Sequence, residues 1–476
     1  IDIVNPEDEN KQPDTLSLAY YQNQPMNPYQ CNDFTNRALL TLIYQGLFFV
    51  DRNYTAEPIL CRSFTVTGDQ KTYTFYLEQA TFSDGTAVTP KDVTASLKAA
   101  STSAYYGGRF SRVEKFSATE DAVVITLTTP YENLPLLLDV PIVPQGQVEK
   151  ARPLGSGPYV YEEYEGALRL RRRTDWWCSA QLPVNGKIIT LMEGSTTTQL
   201  RDAFEFSGLS IVCTDPGSES YVDFHSDYEL WDCETGVLVY LACNDDSPFF
   251  SDKTLRQALT CAIDRSELVE TFYRGFGYST CLPASPNFPY YPQALAREIV
   301  YNPEKFTAAI TAQKLQEEEQ TAIVLLVNKD DHTRLRMARH IADSLSRSGV
   351  KVTTSELAAA DYLAALEKGE FDLYLGQTKL SANMDLSAFF AKDGALCFGD
   401  MDDAMLHDLC QEALANSGNY YTLYREILEN GMLCPLLVRS SAIFVQRGML
   451  TDLSAARDNI FYYDFGTDPD SIKTME

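Results

Sequence analysis

Residues 72–77, with the sequence TYTFYL, alternate Thr/Thr/Tyr on one side with Tyr/Phe/Leu on the other. A period of two predicts a β-strand with two unlike faces. Turn residues lie before it at 68–71 (GDQK) and after it at 83–85 (SDG). Residues 89–92 (TPKD) then supply a hydroxyl N-cap, a proline at the first helical position and an acid three residues after the cap. They predict a helix that starts at Thr89.

Residues 321–378 combine short apolar runs with helical periods. Strands and helices are predicted there in alternation, at 322–327, 333–348, 350–354, 359–368 and 371–375. Gly349 and Gly369 follow the two helices, where glycine commonly ends a helix. This βαβαβ order predicts an open parallel sheet, and such sheets bind ligands beyond the carboxyl ends of their strands. The segment 376–380 is therefore a candidate binding segment.

Other periodic segments complete the prediction. They are a strand at 15–21, a helix at 39–46, a strand at 122–128, an apolar strand at 237–244, a helix opened by Ser266 and a helix at 420–430.

The chain has 476 residues, more than one hydrophobic core usually serves, so several domains are expected. Its apolar content of 45% is that of a globular protein. With 66 acids and 39 bases it carries a net charge of −27, which repels phosphate backbones and argues against nucleic-acid binding. No apolar run approaches the roughly 18–20 residues that a membrane-spanning helix needs.

Catalytic and metal-binding motifs are not found in the sequence. The eleven cysteines form no CxxC pair and are interpreted as mostly buried free thiols, with Cys233 and Cys243 the first candidates for a disulfide. The four histidines do not form an HExxH motif, and no GxSxG nucleophile turn occurs. We therefore expect no catalytic residue, no metal site and no cofactor. Adjacent acids such as Asp402 and Asp403 remain candidates for an acid–base pair.

Four motifs occur in order along the chain. They are 26–28 (MNP) leading to 42–47 (LIYQGL), 82–85 (FSDG) with 89–93 (TPKDV), 155–159 (GSGPY), and Asp252 with 255–259 (LRQAL) and 262–265 (AIDR). In this order and spacing, the set resembles the extracytoplasmic solute-binding proteins of peptide-type ABC transporters, the oligopeptide- and dipeptide-binding family (family 5). Gln45 stands where that family usually has an acid. The motifs themselves are turns, caps and packing positions, so they indicate the family and not the ligand.

The resemblance implies an α/β fold: a two-lobed, periplasmic-binding-protein-like clamshell (type II) with an extra α+β subdomain on lobe I. The expected division is 1–40 in lobe I, 41–149 in the subdomain, 150–240 in lobe I, 241–439 in lobe II and 440–476 as a C-terminal return to lobe I. The hinge would lie near Tyr240 and Ser440. A ligand would then contact both lobes only in the closed form.

The resemblance also implies where a peptide ligand would lie. Residues after the NP loop, residues after the last βαβ strand, and aromatic residues of the subdomain and hinge would contact it. These candidate ligand-binding residues are Asn32, Asp33, Phe34, Tyr105, Tyr106, Tyr240, Gly376, Gln377, Thr378, Lys379 and Asp385. Packing in the core or hinge is an equally good interpretation of Tyr240.

The sequence departs from the peptide binders of the family in one place. There, an aromatic residue follows the strand's glycine, and an aspartate three residues later anchors the peptide's amino group. Here Gln377 and Leu380 take these positions, and Asp385 is the nearest acid that could substitute. A buried ammonium without a carboxylate is costly, so another group of the ligand could be recognised instead. Lys379 could bind a carboxylate.

The function that the resemblance implies is capture of a peptide, or of another small solute, for an ABC importer, whose permease subunits would be partners. Alternatives are a sugar, opine or metal-chelate receptor with the same fold, a sensor without transport, and, from a different class, a secreted hydrolase using two acids. The protein is expected to lie outside the cytoplasm. It is also expected to be a monomer. The resemblance further implies a removed signal peptide and a lipid-modified cysteine before Ile1.

Overall fold

The computed structural model describes residues 14–315, 322–450 and 453–463. Strands alternate with helices throughout these ranges, so the fold is mixed α/β, as expected. The strands are β1 (Thr15–Tyr20), β2 (Phe48–Val50), β3 (Ala56–Pro58), β4 (Cys61–Val66), β5 (Thr72–Leu77), β6 (Val113–Ala118), β7 (Ala122–Leu127), β8 (Tyr159–Tyr164), β9 (Ala167–Arg172), β10 (Ile188–Glu193), β11 (Ile211–Thr214), β12 (Tyr228–Cys243), β13 (Gly277–Ser279), β14 (Ile323–Asn328), β15 (Val352–Leu357), β16 (Leu373–Lys379) and β17 (Leu433–Gln446).

The helices include short and long elements. The α-helices are α1 (Phe34–Ile43), α2 (Pro90–Ser101), α3 (Thr197–Glu205), α4 (Lys253–Ala262), α5 (Arg265–Tyr273), α6 (Gln293–Arg297), α7 (Pro303–Ala312), α8 (His332–Ser346), α9 (Ala359–Lys368), α10 (Ser387–Phe390), α11 (Ala404–Ala415) and α12 (Tyr420–Asn430). Four single turns of 3-10 helix lie at Gly107–Phe110, Leu134–Leu137, Gln145–Gln147 and Ser417–Asn419.

One large sheet forms the centre of the structure. Its strand order is β15-β14-β16-β12-β17-β11-β1-β10-β9-β8, and β13 pairs with β17 outside this path. Strand β14 is parallel to both β15 and β16, which confirms the parallel βαβαβ unit. The two long strands β12 and β17 lie between this parallel part of the sheet and the part that contains β1 and β10.

Strands β12 and β17 are antiparallel, and their pairing is interrupted in the middle. The register shifts between Glu234 and Leu238, opposite Ser440 and Val438. Gly236 lies within this interruption and has a φ of +73°, a left-handed conformation that favours glycine. A second register shift lies between Val239 and Tyr240. The two shifts are thus close to Ser440 and Tyr240, near which the resemblance implies the hinge, and the hinge itself stays a prediction.

A second, four-stranded sheet has the order β4-β5-β7-β6, with α2 packed against β6 and β7. Strand β5 has the predicted bounds. The predicted helix start is also confirmed, because the Thr89 backbone N–H donates to the Asp92 carboxylate at 2.8 Å and the Asp92 N–H donates to the Thr89 hydroxyl at 3.4 Å. This capping box satisfies two N–H groups that the helix itself leaves unpaired.

Several predicted boundaries were wrong for identifiable reasons. Helix α1 begins at Phe34 and not near 39, because the Asp33 carboxylate accepts the Asn36 N–H at 3.0 Å and caps it. Helix α5 is capped by Asp264 and not by Ser266. Strand β12 begins well before 237, since pairing with β17 extends it through polar residues. Strand β16 continues beyond 375 to Lys379, because its last residues pair with β12.

The thiol interpretation is confirmed for all eleven cysteines, which lie in the described ranges and are free. Cys233 and Cys243, the candidate disulfide, are both buried and unlinked. Within the same ranges no helix has the length and apolar character required to cross a membrane.

Candidate ligand-binding cavity

A cavity of about 590 Å³ lies at the carboxyl end of β16. Its wall is built by four parts of the chain: residues 104–112 after α2, Tyr131, the segment 378–396 that runs from β16 through α10, and Arg457 near the end of the described residues. The topology explains its position, because the carboxyl ends of parallel strands are where open α/β sheets hold ligands. Its volume lies within the ~300–1,000 Å³ of typical small-molecule sites.

A buried ion cluster closes one side of the cavity. Lys379 Nζ lies 2.6 Å from Asp458 Oδ1 and donates to the Tyr105 hydroxyl at 2.7 Å. Arg109 Nη2 lies 3.2 Å from Asp458 Oδ2, and the Tyr105 hydroxyl also donates to Asp458. The side chain of Asp458 is only 4% exposed. These contacts join β16, the segment after α2 and the last described segment at one carboxylate.

The charges of the cluster shift each other's protonation. Burial alone would raise the pKa of Asp458, but Lys379, Arg37 and Arg109 hold it well below its usual value. Burial lowers the pKa of Lys379 to about 8, although Asp458 opposes this change. The Cζ atom of Arg37 lies 3.4 Å from the centre of the Tyr105 ring, and its Nη2 donates to the Tyr106 hydroxyl at 2.6 Å. The Arg37 guanidinium therefore contacts both tyrosines.

Acidic and amide groups line another part of the wall. Asp385 Oδ2 accepts the Tyr131 hydroxyl at 3.0 Å, and its Oδ1 accepts the Ser387 N–H at 2.9 Å. Burial and the neighbouring Asp385 raise the pKa of Tyr131, so this hydroxyl stays a donor. Asn383 is 3% exposed, and within the described ranges its Nδ2 has no hydrogen-bond partner. Asp393 completes this part of the wall.

Comparison with known proteins gives the family. The model for bacterial extracellular solute-binding proteins, family 5 Middle, matches residues 55–393. The chain belongs to family 5. Members of family 5 are the solute-binding components of ABC importers, and the two-lobed α/β fold of such binding proteins is the fold of this chain.

Family 5 relatives differ widely in the ligands that their names state. A relative from Escherichia coli K12, named glutathione-binding protein GsiB, is 23% identical over 395 residues, 77% of this chain and 75% of the relative. A nickel ABC transporter structure from Bacillus halodurans matches with a TM-score of 0.76 and 18% identity, covering 96% of this chain and 99% of that one. The oligopeptide-binding protein AppA from Bacillus subtilis, in complex with a nonapeptide, matches with a TM-score of 0.66 and 18% identity, covering 95% and 99%.

The cavity brings together five of the residues that the family 5 resemblance selected. They are Tyr105, Tyr106, Thr378, Lys379 and Asp385. The sequence analysis considered Lys379 as a residue that could bind a ligand carboxylate. Its ammonium group already pairs with Asp458, and this carboxylate would compete with that of a ligand.

Three selected residues after the NP loop are not among the residues that line this cavity. Asn32 is exposed, and its Nδ2 donates to the Gln30 carbonyl at 3.4 Å. Asp33 caps α1, and burial raises the pKa of its carboxyl. Phe34 packs against the hydrophobic core that contains α1. Of the three, Asp33 has a defined structural role in this structure, as the N-cap of α1.

The remaining selected residues support the strand behind the cavity. Tyr240 is 2% exposed and packs edge-on against the rings of Tyr374 and Phe389, which agrees with the packing interpretation of this residue. Gly376 leaves room for that ring, because a Cβ there would lie 2.8 Å from the Tyr240 hydroxyl oxygen. Gln377 Oε1 accepts from Arg439 Nη1 at 3.2 Å and does not line the cavity.

Sequence reasoning missed most of the charged residues of the wall and cluster. They are Arg37, Arg109, Arg112, Asp393, Arg457 and Asp458, and the aromatic Tyr131 was missed as well. One signal was present: Arg457 and Asp458 are adjacent charges in a stretch, 453–463, that is otherwise uncharged and mostly apolar. The other positions carry no local pattern, since only the fold brings them to one cavity.

Proposed function

We propose that this family 5 protein captures a short peptide in the cavity and delivers it to a membrane permease. The observation that supports a peptide is the open edge of β16 at residues 376–379. On one edge these residues pair with β12, from Tyr240↔Gly376 to Val237↔Lys379. On the other edge β14 pairs only with Leu373 and Tyr374, so among the described strands the backbone of 376–379 has no partner there.

An open strand edge beside a cavity suits an extended peptide. The backbone N–H and C=O groups on that edge would pair with those of the ligand as an added strand, which gives affinity with little dependence on side chains. Thr378 and Lys379 line the cavity directly. We infer that the candidate residues Gly376 and Gln377 contribute through their backbone, while Asn32, Asp33, Phe34 and Tyr240 support the site without contacting the ligand.

Asp385 would bind the amino group of the peptide. Its two oxygens accept from Tyr131 and Ser387, and a carboxylate retains further lone pairs for an ammonium ligand. A carboxylate on the wall would compensate for Leu380, which stands where peptide binders have an aspartate and which is itself buried.

We infer that two lobes close around the ligand. In the proposed division, lobe I comprises residues 1–40, 150–240 and 440–476, the subdomain comprises 41–149, and lobe II comprises 241–439. Contacts between the subdomain and lobe II support a closed arrangement. Glu132 Oε2 accepts both the N–H and the hydroxyl of Ser417 at 2.6 Å, and Asn133 Nδ2 donates to the same hydroxyl at 2.8 Å. A ligand binding between these parts would favour the closed form.

The wider role is also part of the proposal. The protein would act as a monomeric receptor, without catalytic activity, outside the cytoplasm and held at the membrane by a lipid anchor. A non-peptide solute is the second candidate, and the replacement of the usual aromatic and acid by Gln377 and Leu380 favours it.

A thermal-shift screen with di- to hexapeptides, followed by calorimetry, tests the peptide proposal, since a ligand that binds the folded state raises the apparent stability. Ala104 is exposed and lines the cavity, so Ala104→Trp should fill the site without disturbing the core. We expect at least about tenfold weaker peptide binding. Ala360→Trp, at an exposed position of α9, is the matched control and should bind as the unmodified protein does. Equal affinity in Ala104→Trp would contradict this site, and no response to any peptide would favour the second candidate.

A further inference from the structure

Two carboxylates lie on one face of β12, directly before the interruption in its pairing with β17. They are Asp232 and Glu234, since alternate residues of a strand share a face, and the interruption follows between Glu234 and Leu238. Asp232 is half-buried, and Glu234 is only 7% exposed. A buried carboxylate is costly unless donors satisfy it, so the partners of Glu234 show what this strand holds in place.

The buried carboxylate of Glu234 joins β12 to two other segments of the chain. Its Oε2 accepts from Ser285 Oγ at 2.7 Å and from Asn287 Nδ2 at 2.9 Å. Its Oε1 accepts the hydroxyl of Tyr54, which lies between β2 and β3. Tyr54 also packs edge-on against the ring of Phe288, so the two segments contact each other as well as Glu234.

Asp232 makes the corresponding connection to the short strand β13. The Tyr278 hydroxyl donates to Asp232 Oδ2 at 2.5 Å, and Arg52 Nη2 lies 3.0 Å from Asp232 Oδ1. The backbone of Tyr278 pairs with Val438 of β17, which is itself paired with Leu238 beyond the interruption. The side chain of Tyr278 therefore reaches back across the interruption to a residue that precedes it.

These side-chain bonds span the part of β12 where the backbone pairing is weakest. Regular pairing with β17 is lost at the interruption, and strands bend at such irregularities. In the proposed division, Asp232 and Glu234 belong to lobe I, whereas residues 278, 285 and 287 belong to lobe II. Bending that separates the lobes would break these bonds, and hydrogen bonds to charged groups contribute more than neutral ones.

We propose that Asp232 and Glu234 are positioning residues for ligand capture, because their bonds across the interruption hold the lobes in the closed arrangement that binds the ligand. This inference rests on the proposed function, whose closure it deepens. Neither residue is among those that line the cavity, so both act on affinity through the fraction of the protein that is closed. The apparent affinity for a ligand falls in proportion to that fraction.

The double variant Tyr278→Phe with Asn287→Ala tests this inference, because it removes one bond from each carboxylate. Tyr278 is half-buried and Asn287 is exposed, so neither change opens the core. The control is Tyr159→Phe, which removes a hydroxyl that donates to the Val184 and Gly186 carbonyls within lobe I. Small-angle X-ray scattering measures the radius of gyration without ligand, and calorimetry measures the affinity for trialanine.

We expect the ligand-free double variant to have a larger radius of gyration than the unmodified protein and to bind trialanine about tenfold more weakly. Saturating trialanine should return its radius of gyration to that of the unmodified protein. Asn287→Ala alone, which changes one exposed side chain, should show a smaller change in the same direction. The control should match the unmodified protein in both measurements, even where its stability is lower.

A radius of gyration and an affinity equal to those of the unmodified protein would overturn the inference and leave the peptide proposal intact. A larger radius with unchanged affinity would overturn the role in ligand capture. If the unmodified protein does not bind trialanine, that result counts against the peptide proposal only, and scattering still decides the inference. A larger radius in the double variant but not in the control would then support it, and equal radii would overturn it.

Discussion

Lys379 and Asp458 form an ion pair 2.6 Å long across 79 positions of sequence, and this pair closes one side of the cavity. The carboxylate lies at the centre of a group of cations, because Arg37, Arg109 and Arg457 also act on it. The pair therefore holds β16 to the last described segment and neutralises charge that would otherwise be buried alone.

Replacing the carboxylate should destabilise the protein strongly. Asp458→Asn leaves several buried cations without their shared partner, and breaking such a buried pair costs about 3–5 kcal/mol of the free energy of unfolding. Urea denaturation measures this loss. Asp227→Asn removes the partner of Arg447 in a pair that is exposed on both sides, and should cost no more than about 1 kcal/mol. Similar losses in the two variants would contradict the central position of Asp458.

The pH dependence of stability should show the titration of Lys379. Burial lowers its pKa from 10.5 to about 8. Between these two values the unfolded chain keeps a proton that the folded protein has released, so the contribution of this residue to the free energy of unfolding rises with pH. Below pH 8 Lys379 is protonated in both the folded and the unfolded state. The full cost of burying its charge then lowers the free energy of unfolding.

Other groups titrate in the same interval, so the measurement is a difference between two proteins. The free energy of unfolding of the unmodified protein minus that of Lys379→Met should increase from pH 8 to pH 10.5. Parallel curves over this interval would show that Lys379 has an ordinary pKa.

Gly236→Ala should destabilise the protein by more than its backbone conformation alone accounts for. The substitution places a methyl group where Arg457 Nη1 now lies and also strains a backbone with a φ of +73°. Gly166→Ala is the matched control, since Gly166 has a φ of +79° and open space around its Cβ position. The control should lose only the backbone contribution, about 1–2 kcal/mol.

We therefore expect urea denaturation to show a larger loss for Gly236→Ala than for Gly166→Ala, because only the first substitution also displaces Arg457. Equal losses in the two variants would mean that Gly236 serves the backbone alone.

The sequence predicted elements whose signals are local. Helices α9 and α12 have the predicted bounds, because a helical period ends at Gly369 and Gly431, both of which adopt the left-handed conformation that terminates helices. The mixed α/β class and the family followed from such local motifs in their order. The first half of β12 was missed, since its charged residues carry no strand period and only pairing with β17 makes it a strand.

The site was less predictable than the fold. Tyr105, Thr378, Lys379 and Asp385 could be selected because they follow segments that the family resemblance locates. The partner of Lys379 could not, since no local pattern connects a residue of β16 to Asp458, and the contact exists only because the chain returns to β12 near its end.

The central claim is that an extended peptide binds along the open edge of β16. Hydrogen–deuterium exchange of the backbone amides, measured with and without saturating trialanine, tests it most directly. We expect slower exchange at residues 376–379 and 104–112, and unchanged exchange in the β8–β9 hairpin. If trialanine binds and exchange at 376–379 stays the same, the peptide does not pair with β16 and the account of the site is wrong.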